Sequence, residues 1–451
     1  MPIMVPIELY RIVLPLLNLK SQIALMQSCS FLDKNLAITV IEQTDADYFN
    51  ICKATTKLLN VKKLSINKIF RISSFNKFDL IKLHMCDNYS PINIQCMKNL
   101  EKLSINNIYV TQNIINKLNL IEIYILNNIH IKDVSHMKKL KILYASDNCR
   151  INQKGIDGLN LKILHAYDNK AIHDVSYMSN LRNLYAGGNS MIDQNGIKNL
   201  NLNILNINMN KKIFSVSHMV NLTELYANYT NLNQDGIGCL NLKILQINYN
   251  TNITDVSYLN KLKYLSNVDG KINQNGIANL NLYELHIESN MYISNVSHLT
   301  NLKVLNINEA HITDKIDIKL IILHIDNIIY DISYMSNLLI LNATGKSIDQ
   351  ASIQNLNLLK LDVTNNPNII SVNHMNKLKY LIARNNSGIK IDSINNLKLI
   401  YLDVLHNPNF YLIINNINVM HIDHKNLLIS DAEIIYQYYN ETKQSSHYNF
   451  I

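Results

Sequence analysis

A nine-residue phrase, Leu-x-x-Leu-x-Leu-x-x-Asn with Ile, Val or Ala allowed at the third apolar place, recurs along most of this 451-residue chain. It is clear at Leu80, with Leu83, Met85 and Asn88, and returns at Leu120, Leu140, Leu161, Leu181, Leu202, Leu222, Leu242, Leu262, Leu282 and Leu302. Two 18-residue steps lead to Leu320 and Leu338, and the phrase resumes at Leu358, Leu378 and Leu399. Weaker copies start at Val61, Leu100 and Ile417, which makes nineteen starts spaced by 18 to 21 residues. A chain of this length exceeds the usual limit of one globular core. Fixed-period self-similarity offers the alternative, a solenoid whose core grows turn by turn.

Within each phrase the Leu-x-Leu alternation has the period of a strand with one buried face. One turn cannot bury that face alone, so neighbouring turns are expected to stack into a parallel sheet. Asn fits the strand exit because its amide can bond the backbone as the chain bends away. It fills that place in 11 of 19 units: Asn88, Asn128, Asn148, Asn169, Asn189, Asn210, Asn250, Asn290, Asn366, Asn386 and Asn407. Looser turns are expected at Ile108, Thr230, Gly270, Ala310 and Lys346. A second period of about 40 residues overlies the first, because two kinds of return segment alternate. One reads Asp-Val-Ser-x-Met/Leu from Asp133, Asp174 and Asp255; the other reads INQKGIDGLNL, IDQNGIKNLNL, LNQDGIGCLNL and INQNGIANLNL from Ile151, Ile192, Leu232 and Ile272. So short a return has room for a 3₁₀ turn or a very short helix.

These phrases resemble the leucine-rich-repeat family over most of the chain. The resemblance implies an α/β solenoid of about nineteen turns over residues 61–425, with a parallel concave sheet that holds protein ligands. Residues 1–45 lack the repeat and 46–60 form a linker or cap. Pro6 suits a helix start, and Leu9, Ile12, Val13 and Leu16 share one helical face. Asn18 or Ser21 can cap a second helix, and a third would carry Leu36, Ile38 and Ile41. The phrase built on Val5, Pro6, Glu8, Leu9 and Ile12 resembles an F-box, the module that docks a Skp1-like adaptor of a cullin-type ubiquitin ligase. That resemblance makes Pro6, Glu8, Leu9 and Ile12 the adaptor-binding residues. Val5 replaces the usual Leu, the acidic-Leu pair before the second helix is absent, and no Trp closes the motif. The alternative is a plain helical cap on the solenoid. The domain order and AT-rich style of composition are similar to F-box/repeat families of giant amoebal viruses.

The residue between the second and third apolar places points out of the sheet. Reading that column gives His84, Ser104, Tyr124, Tyr144, His165, Tyr185, Asn206 and Tyr226, then Gln246, Ser266, His286, Asn306 and His324. From 124 to 226 it is nearly all aromatic or imidazole. Tyr124, Tyr144, His165, Tyr185 and Tyr226, with Asp147, Tyr167, Asp168, Tyr229 and Tyr249 beside them, are the candidate target-binding residues, because rigid amphipathic rings near carboxylates suit protein surfaces. Tyr144, Tyr185 and Tyr226 are expected to be largely exposed. The competing explanation is that Tyr fits any exposed sheet and that 25 Tyr against 8 Phe reflects an AT-rich code.

No catalytic motif, cofactor site or metal site is expected. His136, His218, His298 and His374 recur in repeat register, as packing residues do and a catalytic His would not. His421 and His424 lack a third ligand. The formal charge of +8 is spread along the chain without a basic stripe, which argues against nucleic acid. Six cysteines with no C-x-x-C pair favour a reducing compartment. The apolar start, broken by three prolines, Glu8 and Arg11, suits neither a signal peptide nor a membrane span. The expected location is the cytoplasm, that of a host cell if the chain is viral. Ser430-Asp431-Ala432-Glu433 resembles a capping box, opening a C-terminal capping helix and tail over 426–451 that would cover the last strand edge. The function expected is a substrate receptor, with a Skp1-like adaptor and cullin at one end and an unknown target protein on the concave face. The alternative is a binding scaffold without a ubiquitin-ligase role.

Overall fold

In the computed structural model, residues 110–310 and 348–410 are described continuously, 62–106 and 312–346 in part, and Ser21, Val40–Ile41 and Asp431 singly. The F-box phrase, the copy at Ile417 and the His421–His424 pair lie outside the described residues. The chain forms two compact units, Met1–Leu242 and Lys243–Ile451. Each is a leucine-rich-repeat solenoid built on a parallel sheet.

The first unit's described strands are β1 (Val40–Ile41), β2 (Lys63–Ile66), β3 (Lys82–Cys86), β4 (Lys102–Asn106), β5 (Glu122–Tyr124), β6 (Ile142–Tyr144), β7 (Ile163–His165), β8 (Asn183–Tyr185), β9 (Ile204–Asn206) and β10 (Glu224–Tyr226). Each pairs in parallel with the next, so that Leu143, Leu164 and Leu184 fall in one register. Val40–Ile41 is extended and pairs with Lys63 and Leu64. A third helix carrying Ile41 is therefore corrected: the backbone groups at 40–41 join the sheet. The second unit holds β11 (Ile244–Gln246), β12 (Tyr264–Ser266), β13 (Glu284–His286), β14 (Val304–Asn306), β15 (Ile322–Asp326), β16 (Ile340–Thr344), β17 (Lys360–Asp362), β18 (Tyr380–Ile382) and β19 (Tyr401–Asp403). At the two 18-residue steps the strands lengthen, and β15 and β16 pair over five residues each.

Repeat leucines such as Leu161, Leu164, Leu202 and Leu205 are fully buried. Each such burial is worth roughly 1.5–3 kcal/mol, and stacking repeats it along the array. The strand exit is held by a buried asparagine ladder. Asn169 donates to the carbonyls of Ala145 (2.8 Å) and Ile151 (3.2 Å) and accepts from the amides of Ala171 (2.9 Å) and Ile172 (3.0 Å). Asn210 and Asn366 make the corresponding bonds. The residue just before this place turns left-handed, as at Asp168, Met209 and Tyr229.

Three of the expected ladder residues, Asn148, Asn189 and Asn386, are exposed instead. Each sits in a 21-residue step, whose extra residue follows the left-handed turn. Cys149, Ser190 and Ser387 take the buried place. At Gly270 a Cβ would lie 1.9 Å from the Asn267 side chain. Asn267 supplies the missing amide there, accepting from the Ile272 amide at 3.2 Å. The looser turn expected at this copy is thus tied by a residue three places earlier.

The 40-residue period has a structural cause. Gln153 donates to the Asp174 carbonyl (2.8 Å) and accepts from the amides of His173 and Asp174 (3.0 Å each), clamping its return segment to the next. Gln194, and Gln274 in the second unit, repeat the clamp. Two places on, a glycine at the centre of the 3₁₀ turns Lys154–Ile156 and Asn195–Ile197 lies close to the neighbouring backbone. A Cβ on Gly196 would sit 2.2 Å from the His173 carbonyl oxygen. Gly196→Ala should therefore cost about 1–3 kcal/mol, as overpacking does, read as a lower urea midpoint with an unchanged slope. The recurring histidines are structural, as their register implies. His136, His218, His298 and His374 each place Nε2 3.0–3.2 Å from the isoleucine carbonyl that ends the preceding turn.

Candidate functional site

Parallel pairing without register shift places equivalent side chains side by side, roughly 4.8 Å apart along the sheet. In the first unit the column Tyr124, Tyr144, His165 and Tyr185 is joined by just such pairs. The rings close the remaining distance by leaning together. Centroids are 3.9 Å apart at all three steps, with interplanar angles of 18°, 14° and 8°. Four flat groups thus form one continuous stack on the open face of the sheet. Asn206 follows Tyr185 in register and ends it. Tyr226, one strand further, stands apart, its hydroxyl donating to Glu224 Oε2 at 3.0 Å.

Stacking changes what the column offers. Tyr144, Tyr185 and Tyr226 are half-buried rather than largely exposed; within the stack this is because each ring covers its neighbour's face. Ring edges rather than faces are what a partner would meet. Burial pushes the His165 imidazole down to about 4, so the ring is neutral between its tyrosine neighbours at physiological pH. Burial, then the Glu122 carboxylate, raises the Tyr124 phenol and keeps it protonated. Glu122 is itself buried at the head of the same strand, 2.6 Å from Lys102 Nζ. Its desolvation favours the neutral acid, but Lys102 and the Tyr124 hydroxyl outweigh that, and its carboxyl lies below the ordinary value.

His165 makes the stack pH-sensitive with a definite sign. An unfolded histidine titrates near ~6.5, so between pH 6.5 and 4 the unfolded chain binds a proton that the folded chain refuses. Stability should fall as pH drops through that window. His165→Phe, which keeps the flat ring, should flatten this slope in thermal melts between pH 7 and 4.5. Equal slopes for the two proteins would refute the assignment.

The remaining candidates sit at the strand exits. Asp147, Asp168 and Tyr229 occupy the left-handed turn position, with φ of 60°, 55° and 57°. Asp168 Oδ1 accepts from the Asn189 backbone (2.7 Å) and side chain (2.9 Å). The Tyr167 ring lies over Gly187, where a Cβ would come within 2.5 Å of it, and its hydroxyl reaches Met209 Sδ at 3.8 Å. Tyr249 holds the same turn position in the second unit. Sequence reasoning missed Glu122 and Lys102, because it followed one outward column. The period-two alternation that turns Tyr124 outward also puts Glu122 on the open face, and a second column would have found it.

The array of strand, left-handed exit and short return can be compared with solved structures. A TLR13–ssRNA13 complex matches with a TM-score of 0.52 at 17% identity, over 82% of this chain and 67% of that one. The fold is that of the leucine-rich-repeat proteins. Mouse RP105/MD-1 (TM-score 0.46, 14% identity, 78% of this chain and 72% of that one) and InlJ of Listeria monocytogenes (0.41, 17%, 73% and 74%) are similar more loosely. No family model and no curated protein matches the sequence. Among the described residues, no helix is long and apolar enough to cross a membrane.

Proposed function

We propose that this leucine-rich-repeat chain is a protein-binding receptor whose target lies on the open face of the first unit, across Tyr124, Tyr144, His165 and Tyr185. The observation that carries this reading is the four-ring stack. Rigid aromatic side chains meet a partner at little entropic cost, and stacking fixes these rings before any partner arrives. Half-buried rings that carry hydroxyls suit a mixed polar and apolar protein surface. Chemistry, in this reading, belongs to partners.

The finer proposal assigns those partners. The phrase Pro6-x-Glu8-Leu9-x-x-Ile12 would dock a Skp1-like adaptor and, through it, a cullin, making the chain the substrate receptor of a ubiquitin ligase. The likeness to giant-virus F-box/repeat proteins would place it in host cytoplasm. Purified chain should bind a purified Skp1-like protein at micromolar concentration. Leu9→Ala with Ile12→Ala should abolish that binding and leave the melting temperature of the repeats unchanged. No binding by the wild-type chain would reduce residues 1–45 to a cap, and a double variant that melts the array would do the same.

A further inference from the structure

The open face of the second unit is more enclosed than that of the first at β15 and β16. Ile142 and Ile163, neighbours in register at the head of β6 and β7, are half-buried on the first unit's open face. Their equivalents Ile322 and Ile340 on β15 and β16 are likewise neighbours in register, yet keep only 6% and 1% exposure. They form an apolar cluster with Leu359 and Tyr380. On β16 the side-chain oxygen of Asn342 is also shut off from solvent. Mutual packing of strand neighbours leaves the first unit's isoleucines half open, whereas Ile322 and Ile340 are enclosed. Asp431 is the described residue from beyond β19 that reaches it. Its carboxylate lies 2.6 Å from Lys360 Nζ on β17 and 3.4 Å from His324 Nε2 on β15. Asp431 thus meets strands two and four places back from β19.

We propose that the segment carrying Asp431, within residues 426–451, is a ligand in cis for the second unit's open face. The surface is complementary to an acidic peptide with an apolar side: Lys360 and His324 anchor the carboxylate, and Ile322, Ile340, Leu359 and Tyr380 take the apolar groups. The sequence after Asp431 offers this chemistry. Ile434, Ile435 and Tyr438 follow it at the three-, four- and seven-residue spacings of one helical face. Tethering gives such a segment a high effective concentration. A partner of the second unit must therefore displace it, whereas the first unit's stack needs no such exchange.

Zero-length coupling tests the contact in the full chain. A carbodiimide joins an amine and a carboxylate only when they touch. Digestion and mass spectrometry should then recover a Lys360–Asp431 cross-link, alongside that of the exposed Lys62–Asp79 pair at 2.5 Å, which serves as control. The Lys360–Asp431 product should vanish in Asp431→Asn. Recovery of Lys62–Asp79 without Lys360–Asp431 would overturn the proposal. Exchange is tested with a labelled peptide of residues 426–446. It should bind full-length Asp431→Lys at least about tenfold more tightly than wild type, since the variant's own segment is repelled and the site vacated. Adding Lys360→Glu should abolish that binding. Equal binding to wild type and Asp431→Lys would overturn the cis-ligand account. Should Asp431→Lys fail to fold, the wild-type cross-link still decides.

Discussion

Asn169→Ala should lower the unfolding free energy of the first unit by about 4 kcal/mol, while Asn189→Ala, at the same place in the repeat phrase, should stay within about 1 kcal/mol of wild type. The contrast rests on burial. Asn169 is fully enclosed and makes four bonds to backbone groups on two turns of chain. Each is worth about 1 kcal/mol net, and each partner left unmatched in the interior adds to the loss. Asn189 is exposed and bonds Asp168, which water can replace. Urea unfolding of the three proteins gives the answer. Similar losses for both variants would mean that the ladder does not hold the strand exits as described.

That pair of residues also shows where the sequence stops being legible. The strand repeat reads directly, because period-two leucines and a fixed spacing admit few other folds. The identity of the buried exit residue does not, because a 21-residue step moves it by one place. Nothing in the phrase itself distinguishes Asn189, which faces water, from Ser190, which does not. Similarly, Asn267 standing in for the absent side chain at Gly270 depends on a three-dimensional approach that spacing does not encode. The 40-residue period was visible as alternating Asp-Val-Ser and Gln-x-Gly phrases, but the Gln clamp that produces it was not.

The candidate site divides in the same way. An outward column of Tyr and His was readable from alternation alone. That the rings stack depends on the in-register pairing of β5 to β8, which sequence suggests, and on their tilt, which it does not. The consequence reverses one expectation. Rings that cover one another contribute to stability, so truncating them is not a neutral surface change. Asp431 is legible only as an inner residue of the Ser430–Glu433 capping phrase; its pairing with Lys360 and His324 joins positions 71 and 107 residues apart in sequence, beyond any local pattern.

Tyr144→Ala with Tyr185→Ala should weaken binding of the first unit's target by at least about 30-fold, the equivalent of ~2 kcal/mol lost at a hot spot. It should also destabilise the fold by roughly 1.5–4.5 kcal/mol, because Tyr144 stacks on both neighbours and Tyr185 on one, and each aromatic pair adds about 0.5–1.5 kcal/mol. Tyr144→Phe with Tyr185→Phe keeps the stack and isolates the hydroxyls; it should retain stability and lose only part of the affinity. The most direct measurement is a titration of the protein partner captured by wild-type chain, run against wild type and both double variants, with folding of each verified by its urea transition. The account predicts a folded alanine variant that no longer holds the partner and a phenylalanine variant that does. A folded alanine variant that binds as tightly as wild type would contradict it, and would leave the stack as a structural feature of the sheet.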